Sequence, residues 1–140
     1  MNILLAADGS IYTKRMLACI AVHEDVLGAR HRYTVVHATT RPSGAAAAFV
    51  DPQELKAIYR SEAEKVFKPI RAFFKQRGIE ARFVGLVGPV SESIARQAER
   101  AACDLLVMGS HGRGNLASLV MGSVATRVLA QSKVPVLLVR

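Results

Sequence analysis

The chain has 140 residues, 51% of them hydrophobic, and a formal net charge of +8. That length suits one compact domain, residues 1–140, with a real core, and that apolar content excludes a disordered tail. The excess of cations invites anionic partners such as nucleotides, nucleic acid or membrane surfaces, without choosing among them.

Residues 2–7 (NILLAA) read as a buried strand that ends in the turn Asp8-Gly9-Ser10. The opening MNILLAADGS lacks a basic leader and runs straight into that strand. No secretory signal is therefore expected, and the expected location is the cytoplasm. The apolar runs along the chain are too short to span a bilayer. Residues 12–27 have helical apolar spacing, with Met16, Ile20, His23 and Leu27 near one face and Gly28 as C-terminal cap. YTVVHA, 33–38, makes a second strand. The connection TTRPSGAAAAF has no clear period, and Asp51-Pro52-Gln53-Glu54 then opens a helix, with Asp51 as N-cap. This helix runs to about Arg77, with Gly78 after it, and Pro69 predicts a kink or break inside it. EARFVGLV, 80–87, is a third strand, and Gly88-Pro89 turns the chain into a helix over 91–102. The inner face of that helix is small (Ile94, Ala95, Ala98, Ala101, Ala102), which lets it lie close to a sheet. DLLVM, 104–108, is a fourth strand, a helix runs from near Ser123 to near Gln131, and VPVLLV, 134–139, is a fifth strand.

Strands alternate with helices, and the central strands are continuous apolar runs. This predicts an α/β fold: an open, doubly wound, five-stranded parallel sheet with helices on both faces. Ligands of such sheets sit beyond the carboxyl ends of the strands, where strand order reverses. The turns after strands one and four, ADGS and GSHGRGN, therefore matter most.

The stretch GSHGRGNLASLVMGSV, 109–124, carries four glycines. Gly109 lets the chain leave a buried strand, and Gly112 and Gly114 let main-chain amides approach a ligand. Gly122-Ser123 opens a helix whose first amides lack partners within the helix and suit a phosphate. One helix end supplies about 0.3–1 kcal/mol, whereas micromolar nucleotide binding needs about 8 kcal/mol. Further amides, Arg113 or a metal ion, and an apolar slot for a base must contribute. The residues alone also allow a plain glycine-rich loop followed by a capped helix. The stretch is not a P-loop, since no Gly-Lys-Ser/Thr occurs, and Ala117 stands where a G-x-G-x-x-G pattern needs its third glycine.

The spacing Gly109-x2-Gly112-x9-Gly122-Ser123 resembles the nucleotide-binding signature of the universal stress protein family. MNILLAADGS, YTVVHA, LVGPVSESIARQA, DLLVMGSHGRG and VPVLLVR extend the resemblance over essentially the whole chain. It implies a Rossmann-like sandwich that binds ATP with Mg2+ or Mn2+, and a homodimer formed through the last strand, Val134 to Val139. It places Ala7 and Asp8 by the ribose or phosphates and Ala38 in the adenine slot. Met108 and Gly109 fall near the ribose, and Gly112, Arg113, Gly122, Ser123 and Val124 surround the phosphates. The chain departs from the family pattern at Pro89, where Asp or Asn is usual, and at Ala125, where some ATP-binding members carry a hydroxyl.

Single residues have alternative readings. Asp8 can take a ribose hydroxyl, reach a metal indirectly, or cap its own turn. His111 can touch phosphate or face solvent. His37 reads as a structural histidine, and His23 and His31 as surface residues. Cys19 and Cys103 read as buried, reduced thiols, with no metal-ligand spacing. Lys56, Arg60, Lys68, Arg71 and Lys75 form a basic stripe on the second helix. With Phe67, Phe73 and Phe74 turned to the apolar side, it reads as a solvated face, and nucleic acid is not the expected partner. The function expected is a nucleotide-dependent regulatory switch for the stress response. The alternatives are a slow ATP hydrolase, for which no placed general base is visible, and an acidic-partner module using the basic stripe.

Overall fold

The computed structural model describes residues 1–42, 44, 49–114 and 120–140. The elements in chain order are β1 (Asn2–Ala6), α1 (Ile11–Val22), α2 (Glu24–Leu27), β2 (Arg32–Thr39), α3 (Pro52–Gln76), β3 (Ala81–Val87), α4 (Val90–Arg100), β4 (Leu105–Gly109), α5 (Ser123–Gln131) and β5 (Val136–Val139). The five strands form one parallel sheet in the order β3-β2-β1-β4-β5. The chain builds outward from β1 to β3, then crosses back to place β4 on the other side of β1. The strand order therefore reverses between β1 and β4, and a crevice opens there beyond their carboxyl ends.

The period-two alternation of β1 splits the core into two layers. Ile3, Leu5 and Ala7 join Met16 and Ile20 of α1 and Val66, Phe67 and Ile70 of α3 on one face. Leu4 and Ala6 join Ile94 and Ala98 of α4 and Ala125 and Val128 of α5 on the other. Leu4, Leu5, Val35, Val36 and Leu106 are wholly buried. The small buried face of α4, Ala95 and Ala98, lets it pack close, as the sequence predicts.

Three expectations for the helices need correction. The pattern over 12–27 is two helices, because His23 leaves helical geometry with ψ of 48°. The turn brings Leu27 inward, while His23 stays exposed. Of the kink or break expected at Pro69, the break does not occur: α3 is continuous from Pro52 to Gln76. Both Pro69 and Lys65, whose carbonyl loses its helical donor, are exposed, so that carbonyl is left on the solvent side of the helix. The helix predicted over 91–102 ends at Arg100, and Ala102, at φ of 46°, is exposed beyond it. Asp51 does cap α3, its carboxylate accepting from the Gln53 amide at 2.6 Å.

Candidate functional site

The two turns marked by the sequence meet at the crevice. In the first, the Asp8 carboxylate is built into the turn: Oδ1 accepts from the Ser10 amide at 2.9 Å and from the Thr13 hydroxyl at 3.1 Å. Thr13 Oγ1 in turn accepts from the amides of Asp8 and Gly9, at 3.2 and 3.1 Å. Gly9 has φ of +78°, which a side chain rarely adopts. Asp8 thus caps its turn through one oxygen and points the other, Oδ2, at Gly112, where a Cβ would lie 2.8 Å away.

The second turn is clipped at both ends. Gly122 donates its amide to the Ser110 carbonyl at 2.9 Å, and His111 Nε2 donates to the Val120 carbonyl at 2.7 Å. A Cβ on Gly122 would press against the main chain of His111 and Ser110, at 3.1 and 3.2 Å. A Cβ on Gly109 would strike Tyr12 at 2.6 Å. Both glycines are therefore demanded by close approach of neighbouring chain. At Gly114 no atom of the described residues lies within 4 Å, so among them this third glycine meets no such demand. Arg113 reaches across the crevice, and its Nε donates to the Asp8 carbonyl at 2.7 Å. Residues 115–119, which include Ala117, and residues 43 and 45–48 of the long connection lie outside the described residues.

Between the two turns lies a cavity of about 770 Å³, within the range of small-molecule sites. One end is apolar, lined by Val36, Ala38, Val90, Ile94 and Met108. The other end is polar, lined by Asp8, Gly112, Arg113, Gly122 and Ser123. The start of α5 opens into it. Gly122, which has no side chain to cap with, is the N-cap. The first turn therefore offers its amides to the cavity together with the positive end of the helix dipole.

Ala7, Asp8, Ala38, Met108, Gly109, His111, Gly112, Arg113, Gly122, Ser123 and Val124, the residues singled out in the sequence, all line this one cavity. His111 is half-buried rather than solvent-facing, with its ring centroid 5.3 Å from that of Tyr12. Sequence reasoning missed Tyr12, Glu62, Lys65, Val90, Ile94 and Met121, which line it too. Tyr12 stands in the first turn of α1, just after the Asp8 turn, whereas Glu62 and Lys65 arrive only through the packing of α3.

Three further readings are settled by the same geometry. His37 is buried, and its Nδ1 donates to the Ala7 carbonyl at 2.9 Å, as a structural histidine should. His31 is not a surface residue. It is buried between the N-terminal amine at 3.1 Å and the Val26 carbonyl at 2.8 Å. Cys19 and Cys103 are free thiols, half-buried rather than fully buried. Burial, reinforced by the neighbouring Asp104 carboxylate, pushes the Cys103 thiol up, away from the reactive thiolate.

The model of the universal stress protein family matches residues 1–140. The chain belongs to this family. A universal stress protein of Thermus aquaticus, from the region 3' of QAH/OAS sulfhydrylase, is 36% identical over 140 residues, covering 99% of this chain and 98% of its own. Universal stress protein MJ0577 of Methanocaldococcus jannaschii is 34% identical over 87 residues, 62% of this chain and 54% of that one. Slr1230 of Synechocystis matches over 99% of this chain but 42% of its own length, so the chain spans about half of these two relatives. The solved structure of MJ0577 superposes with a TM-score of 0.81 at 28% identity, covering 99% of this chain and 94% of that one. Two other members of the fold were solved with nucleotides. The Arabidopsis thaliana protein with AMP bound has a TM-score of 0.71 at 14% identity, covering 99% of this chain and 90% of that one. The Archaeoglobus fulgidus protein in complex with dAMP has a TM-score of 0.66 at 20% identity, covering 100% and 98%. Among the described residues no helix is long and apolar enough to cross a membrane.

Proposed function

We propose that this family member is a nucleotide-binding regulatory protein, in the cytoplasm, whose ligand is ATP. The observation that carries the reading is the start of α5, with a glycine as its N-cap, opening into a cavity with an apolar slot at its far end. An adenine fits between Val36, Ala38 and Ile94; the ribose then falls beside Asp8 and Met108, and the phosphates beside Gly112, Arg113, Gly122 and Ser123. Several amides and a guanidinium supply the free energy that one helix end lacks. The nucleotides named for the Arabidopsis and Archaeoglobus structures support the ligand class. Arg113, with Lys65 at the rim, favours a ligand with more than one phosphate.

Among the described residues no three His, Cys, Asp or Glu side chains cluster to hold a metal ion. Mg2+ or Mn2+ would accompany the phosphates here and offset their charge, with the Asp8 carboxylate, whose Oδ2 lies towards Gly112, as the residue that would hold it. Thr39 and Thr40, where the long connection leaves β2, also line the cavity, so an occupant touches the base of a segment long enough to respond to it. That contact is the physical basis for a ligand-dependent switch. A homodimer through β5 belongs to the same reading, since in the described sheet only β4 pairs with that strand.

The test pairs two substitutions. Gly112→Val puts a Cβ 2.8 Å from Asp8 Oδ2, whereas a Cβ at Gly114 meets no described residue within 4 Å. Titrated with ATP and magnesium, Gly112→Val is expected to bind at least about tenfold more weakly, a loss of about 1.4 kcal/mol, while Gly114→Ala keeps the wild-type affinity. Equal affinity of Gly112→Val and wild type removes the cradle.

A further inference from the structure

A second cavity, of about 510 Å³, lies between α3 and the edge strand β3. We propose that it is a binding site for a small aromatic carboxylate whose ring carries an acceptor oxygen, distinct from the nucleotide site. Four features of its lining point to this ligand.

The first is a deficit. Among the described residues, the Tyr59 hydroxyl is buried and has no hydrogen-bond partner. A buried polar group without a partner is a standing cost, and an acceptor brought by a ligand removes it. The second is a gap. Gly85 lies inside β3, in unbroken register opposite His37, so it marks no bulge. A Cβ there would meet Ala63 at 3.5 Å, an ordinary contact, so the approach of α3 does not require glycine either. Glycine weakens a strand, and the remaining reason to find it there is room for something else. The third is the wall. Phe67 and Phe83 meet edge-on with centroids 5.3 Å apart, and together with Tyr59 they give an aromatic surface suited to a flat ring. The fourth is charge. Lys56, Arg60 and Arg71 line the cavity against a single carboxylate, Glu64. Arg71 is held by Glu64 at 3.1 Å and lies 4.2 Å over the Phe83 ring. Lys56 and Arg60, one helical turn apart and exposed, are left to meet an anion. Part of the basic stripe on α3 is thus the rim of a cavity rather than a plain solvated face.

The probe is 6-hydroxy-2-naphthoate, compared with 2-naphthoate, which lacks the ring oxygen. Both are followed by fluorescence titration of the full chain. Saturable binding of both is expected, the hydroxylated probe about fivefold tighter. Tyr59→Phe is expected to abolish that difference while sparing 2-naphthoate. Arg60→Ala is expected to weaken both, and Gly85→Leu, which fills the gap, to prevent both. The probe and ATP are expected to bind together, and Gly112→Val to leave the probe bound even if it loses ATP. Stoichiometric displacement of the probe by ATP would put it in the first cavity and overturn the proposal. Absence of saturable binding, or binding indifferent to both Gly85→Leu and Arg60→Ala, overturns it as well.

Discussion

Tyr33 sits at the start of β2, its hydroxyl donating to the Leu27 carbonyl and its ring edge-on to Phe74 with centroids 5.1 Å apart. Burial, and secondarily the Cys19 thiol, pushes its pKa up to about 12. In the unfolded chain the phenol ionises near its ordinary value of about 10. The folded state therefore holds the proton more tightly, and the stability this contributes is complete below about pH 10 and lost as pH rises through about 12. Chemical denaturation measured across this window is expected to show a falling midpoint. Tyr33→Phe should lose about 1 kcal/mol at neutral pH, from the unpaired Leu27 carbonyl, and should flatten the alkaline slope. An unchanged slope in the variant excludes Tyr33 as its origin. Residues like this one show how far single positions can be read from sequence. Asp8 was legible because a carboxylate at a strand end followed by glycine has few uses, and it turned out to serve the turn with one oxygen and the crevice with the other. His31 was not legible, because its partners, the Met1 amine and the Val26 carbonyl, are joined to it only by the fold.

Among the elements, β5 is the one whose environment is least complete. It is an edge strand of four half-buried residues, and only one of its sides is paired within the described chain. Its ladder to β4 uses the carbonyls of Pro135 and Val139, which accept from Leu106 and Ser110, each at 2.9 Å. Main-chain groups alternate along a strand, so the amides of Val136 and Leu138 point away from β4. Val136→Pro deletes one outward donor with a side chain of similar size and leaves the inner ladder intact. If β5 forms the homodimer, this variant is expected to sediment as a monomer with unchanged circular dichroism. A dimer of undiminished strength would move the interface elsewhere. The elements themselves were largely legible because apolar runs and glycine turns are local signals. The misread helices fail for non-local reasons: the chain turns at His23 to bury Leu27, and Pro69 stays within α3 on its exposed side, where no packing against the sheet is disturbed.

Across the whole molecule, the two cavities meet at β2, where His37 and Thr39 line both. The His37 ring is edge-on to Phe67 in the wall of the second cavity, with centroids 6.5 Å apart, while its Nδ1 holds the Ala7 carbonyl beside Asp8 in the first. An occupant packed on Phe67 therefore restrains the ring that orients the end of β1, and ordering done by one ligand need not be repeated by the other. Such a link was illegible in the sequence, where His37 carries no sign of facing two ways; only the stacking of α3 over β2 and β3 creates the second wall. The expected result is mutual tightening of about fivefold, and linkage requires the same factor in both directions. Calorimetric titration of ATP with and without saturating 6-hydroxy-2-naphthoate, and of the probe with and without ATP, measures both. His37→Leu keeps much of the ring's bulk but loses the bond to Ala7, so it should preserve the two binding events and reduce the coupling to unity. Full coupling in that variant, or none in the wild type, would show that His37 transmits nothing between the sites.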